Sequence, residues 1–410
     1  MFKRSSLKKL NNSYQSRLIV FLFCISVVLF LYEIFRVDVF IGYIDGQFYY
    51  SYLPEYFIKH NFGYTVKFPI GTALCNLPAF LVVHAVLSVL RPEIADGSSV
   101  LYQYGVGITG IVFFLLGIIF VYKTVKFLYN ERIAFITSII ISLGTFLPAY
   151  ATKYASFSHI YSFAFASIFM YLAVTLDDED SIKRNLCLGL CAGMLFLIRN
   201  INIFFVLFYL LYELCQKNLR RVFLVKRLIP NFIGGLLMVF PQLLLWKATT
   251  GHFITNAYSD ESFDYLMNPR VYQVLFSDAK GLFIFTPVLI FAVIGFFMGK
   301  DSRVKASNIA VGVVFVIEIY TIAAWWCWWL GGVYGERSFA DVLGFLAIPL
   351  ATFIDRTFGS KDRRLCNVFY GAVILFFIIT NLVFLMGADR GIINETASSW
   401  YELSRAWRMF

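Results

Sequence analysis

Runs of apolar residues separated by short polar stretches recur from one end of this chain to the other. Most are long enough to cross the roughly 30 Å hydrocarbon core of a bilayer as a helix. They fall at residues 18–36, 101–122, 133–150, 156–176, 186–198, 201–214, 230–247, 281–299, 307–330, 338–354 and 366–386. A further run at 68–90 differs in character, because it carries Pro69, Gly71, Asn76, Pro78 and His84. Counted as a crossing, it would put Lys123, Lys126, Arg132 and the later basic loops outside, against the positive-inside rule. Read as a re-entrant or interface-lying helix, a broken element buried against protein, it leaves every basic cluster inside. Those clusters are Lys123/Lys126/Arg132, Lys183/Arg184, Lys217/Arg220/Arg221/Lys226/Arg227, Lys300/Arg303/Lys305 and Arg356/Lys361/Arg363/Arg364. The pattern predicts an all-α polytopic membrane protein of about 11 transmembrane helices. It forms a single domain over 1–410, with larger outer segments at 37–100 and 248–280 and a short outer tail at 387–410.

Composition agrees, with 60% hydrophobic, 19% aromatic and 15% charged residues, far more apolar than a soluble domain. The first run follows Lys3, Arg4, Lys8, Lys9 and Arg17 as in a signal sequence, but no small-residue cleavage site precedes Glu33 and Arg36. It reads as an uncleaved anchor with a cytoplasmic N-terminus, in an inner (plasma) membrane protein whose active site faces the periplasm or exterior. The net charge of +10 is accounted for by the cytoplasmic loops, so nucleic acid is not an expected partner. The seven cysteines form neither a disulfide framework nor a CxxC pair, and no internal repeat is evident.

Candidate chemistry gathers at the outer ends of the runs. Asp45 lies just past the first run, in Ile44-Asp45-Gly46-Gln47-Phe48-Tyr49-Tyr50, where an acid beside an aromatic interface can accept a proton from a nucleophile. It reads equally as a solvated carboxylate in a turn with Gly46, and Asp38 and Glu55 stand as alternative acids. Arg199-Asn200 splits one apolar stretch into two arms of about 14 residues, each rising about 21 Å, so the tip sits below the outer membrane surface. A cation there needs an anion or water, and a guanidinium grips a lipid phosphate with two hydrogen bonds; snorkelling to headgroups is the plainer reading. The run Trp325-Trp326-Cys327-Trp328-Trp329 fits an aromatic belt, and it leads through paired glycines to Arg337 and Asp341. These two residues form either a helix-end ion pair or a cavity pair in which Asp341 holds a phosphate-binding Arg337. Lys153, Ser158 and His159 open the fourth run, and Lys247, His252, Asp260, Glu261 and Asp264 belong to the second outer segment. A lone interfacial His is more often structural than catalytic, and no spacing motif supports a metal on Asp45 and His159. Glu318, in the middle of the ninth run, must be protonated or paired, or it marks a proton path.

In several of these elements the chain resembles the polyprenyl-phosphate-sugar-dependent glycosyltransferases of the GT-C fold, the superfamily of protein O-mannosyltransferases and lipid A aminoarabinose transferases, and looks closest to a bacterial branch. The elements are Asp45 with its tyrosines, Lys67-Phe68-Pro69-Ile70-Gly71, Tyr154-Ala155-Ser156-Phe157-Ser158-His159, Leu197-Ile198-Arg199-Asn200, Gly281 to Pro287, and the tryptophan run with Gly335-Glu336-Arg337. Two features depart from it: a single acid at position 45 where many relatives carry a pair, and a tail after Gly387 too short for an added soluble domain. The resemblance implies outer interfacial helices within 37–100. It also implies hexosyl or pentosyl transfer, with inversion, from a polyprenyl-phosphate donor to a lipid, glycan or protein acceptor. The expected assignment makes Asp45 the base and Lys67, Arg199 and Arg337 the phosphate-binding cations, with Tyr49, Tyr50, Lys153, His159, His252 and Asp341 as other cavity candidates. Phosphate leaves as a stable anion, so no second acid and no cofactor is required; a divalent metal stays open without a motif. A lipid-linked-sugar flippase and an oligosaccharide ligase using a diphosphate donor are the alternatives.

Overall fold

The computed structural model describes residues 13–36, 40–42, 44–176, 181–216, 225–255, 261–359 and 364–409. Asp38, Asp260, Lys3, Arg4, Lys8, Lys9, Lys217, Arg220, Arg221, Lys361 and Arg363 lie outside them. The regular elements among the described residues are helical. In order they are α1 (Ser13–Arg36), α2 (Ile44–Phe57), α3 (Gly71–Leu90), α4 (Val100–Leu128), α5 (Glu131–Leu143), α6 (Leu147–Ala151), α7 (His159–Val174) and α8 (Ile182–Ile198). A 3-10 turn (Asn200–Phe205) leads to α9 (Val206–Cys215), α10 (Val225–Thr250), α11 (Val271–Phe276), α12 (Leu282–Phe285), α13 (Ile290–Phe296) and α14 (Ser302–Ala324). A further 3-10 turn (Arg337–Val342) enters α15 (Leu343–Phe358), followed by α16 (Arg364–Asp389) and α17 (Trp400–Trp407).

The polar breaks in the sequence start and stop these helices. Asn130, Ser181 and Asp301 cap α5, α8 and α14 by accepting from the backbone N–H of Ile133, Arg184 and Arg303. Each satisfies a donor that the first helical turn leaves open. Among the described residues, seven helices are long and apolar enough to cross a membrane, and three shorter apolar helices accompany them. Apolar side chains such as Phe35, Phe232 and Val368 point outward along them, as in a multi-pass protein surrounded by lipid. Eleven crossings remain the expectation from charge.

Packing is tightest where small residues let backbones touch. A Cβ on Gly189 would run into the carbonyl of Asn231, and one on Gly234 into that of Leu186, so α8 and α10 cross at backbone contact. Among the seven long apolar helices described, α15 is the most enclosed, with residues 343–354 buried on all sides, between α13, α5 and α7. It anchors the 3-10 turn that carries Arg337 and Asp341.

The segment 68–90 differs from the broken element expected. Gly71–Leu90 is one continuous helix, with Pro78 inside it and Leu74, Leu81, Val82 and Val89 exposed. A proline removes one backbone donor without ending the helix here. Its length would let it cross a membrane. It nevertheless meets α4 at that helix's first turns, where His84 Nδ1 lies 2.7 Å from the Tyr102 hydroxyl and Ala79 and Val83 flank Gly105. Its N-terminus abuts Leu197 and Ile198 at the end of α8. These contacts lay α3 across one end of the bundle.

Candidate active site

A cavity of about 510 Å³ opens among α2, the end of α8, the C-terminal half of α14 and the 3-10 turn at Arg337. Asp45, Tyr49, Lys67, His159, Arg199 and Arg337 all line it. Local stereochemistry explains the convergence. Asp45 occupies the first turn of α2, where the helix dipole favours a negative charge. Its neighbour Gly46 lies so close to Ser156 that a Cβ would collide with the Ser156 side chain, which fixes α2 against the loop before His159. Tyr49, one turn on, shares the face of Asp45; it stacks on Phe68 at 4.2 Å and accepts a hydrogen bond from Ser158 at 3.1 Å. Burial pushes its phenol above the usual range, against the pull of Arg199. Tyr52 donates to the Phe68 carbonyl at 2.7 Å and so anchors the stretch that carries Lys67.

Three cations meet three carboxylates. Arg337 Nη2 donates to Asp45 Oδ2 at 2.7 Å, and its guanidinium lies 5.1 Å from the Phe157 ring centroid. Lys67 Nζ donates to Glu261 Oε1 at 2.8 Å. Arg199 breaks out of α8 with extended backbone (φ −150°, ψ 123°) and donates through Nη1 to Asp341 Oδ2 at 2.5 Å and through Nη2 to Ser338 Oγ at 3.1 Å. Asp341 is fully buried and also lies 3.1 Å from His159 Nδ1. The same nitrogen lies 3.3 Å from Arg199 Nη1, so it donates to the carboxylate in one tautomer and accepts from the guanidinium in the other, and the two contacts hold the ring in one orientation. Gly71 packs against the Leu197 backbone with no room for a Cβ, so α3 backs up the segment that carries Arg199.

The loop entering Arg337 turns back sharply, with Gly331 and Gly335 at φ +77° and +68°, the left-handed region that glycine reaches without steric cost. Behind it Lys280 donates to the carbonyls of Val333 and Glu395. Burial pulls the Lys280 ammonium down to about 8, while Glu336 pulls the other way. Burial likewise pushes the Glu336 carboxyl up to about 8, against the attraction of Lys280 and Arg337.

Four expected positions differ. Asp341 does not hold Arg337; the turn spacing aims it at Arg199 and His159, behind the cavity wall. Tyr50 faces away from Tyr49 along α2 and packs on Phe80 at 6.1 Å. Lys153 turns toward the C-terminal segment and donates to Glu395 at 2.7 Å. His252 sits in an exposed stretch after α10 and is not among the cavity-lining residues. Among the described residues, no three His, Cys, Asp or Glu side chains gather where they could hold a metal ion. Sequence reasoning did not pair Glu261 with Lys67, nor did it find Ser338, Phe157 or the apolar lining from Ile201, Ile203, Phe204 and Ile322. Ser338 and Phe157 stand beside residues already singled out. The pairing across 194 positions carries no sequence signal.

Comparison with known proteins bears on the frame that holds this cavity. Residues 102–246, which include His159 and Arg199, match the family model described as dolichyl-phosphate-mannose-protein mannosyltransferase. No curated protein matches the sequence. Among solved structures, ArnT from Cupriavidus metallidurans bound to undecaprenyl phosphate superposes with a TM-score of 0.57 at 11% identity, over 90% of this chain and 70% of that one. The apo form of the same protein gives 0.58 at 13% identity, over 92% and 71%. At such identities the likeness is one of fold.

Proposed function

We propose that this chain is a polyprenyl-phosphate-sugar glycosyltransferase of the GT-C type, which transfers a sugar from a polyprenyl monophosphate to a nucleophile at the outer face of the membrane; the family-model match and the likeness of fold to ArnT support the reading. The observation that carries the reading is one cavity shared by a carboxylate, Asp45, three cations, Lys67, Arg199 and Arg337, and an apolar lip. Its volume of about 510 Å³ suits a sugar-phosphate head group. Ile203 and Phe204 are exposed at the cavity and offer a surface along which a prenyl tail would leave. The outer-face placement rests on the basic clusters of the opposite loops.

In the reaction, a hydroxyl or amine of the acceptor attacks the anomeric carbon. The new bond forms as the carbon–oxygen bond to phosphate breaks, and the configuration inverts. The bond's electron pair leaves on the phosphate oxygen, whose charge falls to Arg337, Arg199 and Lys67, while Asp45 takes the acceptor's proton. Preorganised cations in a partly dry site supply the larger contribution, and removal of one costs roughly 10²-fold in rate. A leaving group that is already a stable anion needs no general acid, so one carboxylate suffices. The acceptor class and the sugar belong to this proposal only as lipid, glycan or protein and as hexose or pentose.

The test is purified protein in lipid nanodiscs given radiolabelled undecaprenyl-phosphate sugars and a membrane extract as acceptor source. Transfer changes the label's chromatographic mobility, and Asp45→Asn abolishes it while donor binding persists. Label moved across the bilayer unchanged would indicate a flippase instead, and full activity in Asp45→Asn would dismiss the base.

A further inference from the structure

Glu318 has no role in the reaction just described, yet it lines the same cavity. It lies about three-quarters of the way along α14, six residues before the helix ends at Ala324, so it sits about 9 Å below that end. The residue is only 2% exposed, and its Oε1 has no hydrogen-bond partner among the described residues. A buried carboxyl oxygen left unpaired costs stability, so its place on a cavity wall needs a reason. Its charged neighbours are Asp341 and Arg199, and those two are already engaged with each other. One helical turn on, Thr321 lines the same wall, at the spacing that puts two side chains on one face.

A donor brings three kinds of surface into this cavity: phosphate, prenyl chain and sugar. A carboxyl is a poor neighbour for phosphate, and of the three cations only Arg199, already held by Asp341, is among its charged neighbours. The prenyl chain needs no polar partner. A sugar ring entering a partly dry cavity needs an acceptor or donor for each hydroxyl that leaves water, and a carboxyl accepts in either protonation state.

We infer that Glu318, with Thr321 beside it, is the donor-sugar subsite: its carboxyl receives a ring hydroxyl of the sugar and sets which sugar is accepted. This rests on the glycosyltransferase reading of the cavity. A site built to hydrogen-bond a substrate hydroxyl rejects the analogue lacking it far more strongly than an apolar pocket rejects a size mismatch. Glu318 is therefore a specificity residue distinct from the base and from the phosphate-binding cations.

The experiment measures equilibrium binding in nanodiscs of bare undecaprenyl phosphate and of undecaprenyl phosphate carrying mannose, glucose, galactose or arabinose. The readout is the ratio of sugar-bearing to bare affinity. In the wild type at least one sugar should tighten binding. Glu318→Leu should cut that gain by roughly 10-fold or more and leave bare-carrier affinity within about twofold. Glu318→Gln, which preserves size and one acceptor, guards against a folding failure: it should narrow the discrimination between a preferred sugar and its deoxy analogue. Equal weakening of bare and sugar-bearing carriers would assign Glu318 a structural or phosphate role and overturn the inference. An unchanged ratio in both variants, or no sugar gain in the wild type, would overturn it too. A wild type that binds no carrier at all would instead bring down the glycosyltransferase reading itself.

Discussion

Replacing Asp341 by Asn tests the electrostatic frame of the site without touching the cavity wall. The side chain of Asp341 is 0% exposed and that of Arg199 18% exposed, and they are joined at 2.5 Å. Removing one partner of a buried pair costs about 3–5 kcal/mol, because the remaining charge stays desolvated. Cavity water reaches Arg199, so the low end applies, about 3 kcal/mol. The guanidinium would also lose its aim, and a displacement near 1 Å can cost about 10²-fold in rate. Arg199→Gln should be the more destabilising single change, since it strands a carboxylate with no access to water. The double variant should then lose less stability than the two singles summed, by about 2 kcal/mol or more, while turnover stays low because a phosphate-binding cation is gone. Unfolding midpoints of the four proteins in one detergent, with donor turnover alongside, complete the cycle. Additive stability losses would refute the claim that Asp341 exists to hold Arg199.

Glu261→Gln should cost less than about 1 kcal/mol, since the pair with Lys67 is partly exposed, with side chains 34% and 24% accessible. It should lower the donor KM a few-fold by freeing the ammonium, and a raised KM would count against Lys67 as a phosphate ligand. Stability should also depend on Glu336: between its ordinary value of 4.5 and about 8 the folded protein keeps a proton that the unfolded chain has released, so stability falls as pH rises through that window. Melting temperatures should therefore decline from about pH 5 to 8 and flatten over that range in Glu336→Gln; a wild-type profile as flat as the variant's would show that Glu336 is not held in its protonated form.

The fold was largely legible because lipid leaves few options. Every backbone polar group must be paired within its own helix, so an apolar run states both the element and its extent. Arg199 could be read as a break for the same reason: a guanidinium within an apolar stretch must be led to a partner, and the chain leaves α8 there. The aim of individual side chains was less legible. Asp341 sits four residues after Arg337 and would be its neighbour on an α-helix, but residues 337–342 form a 3-10 turn with different angular spacing. Tyr50 beside Tyr49 illustrates the same point, because adjacent positions on a helix face different ways. Lys153 stands near His159 in sequence, yet a loop without helical periodicity turns it to Glu395. The clash distances at Gly46 and Gly71 explain why separate motifs converge, and no pattern in one sequence reports them.

The way the cations are paired also constrains the order of events. A phosphate that takes a carboxylate's place on a cation must leave that carboxylate a route to water. Asp341 cannot be that carboxylate, since it is fully enclosed and has no water to turn to. Asp45 and Glu261 retain 26% and 24% side-chain exposure, so each can be resolvated when its partner leaves. Arg337 and Lys67 would therefore exchange their carboxylates for phosphate, while Arg199 would stay on Asp341. The exchange at Arg337 has a chemical consequence, because the carboxylate set free is that of Asp45. If Asp45 is the base proposed above, its bond to the guanidinium occupies part of its accepting capacity, which it would regain when the donor arrives. In the proposed reaction the acceptor's proton would then be taken only after the sugar is in place.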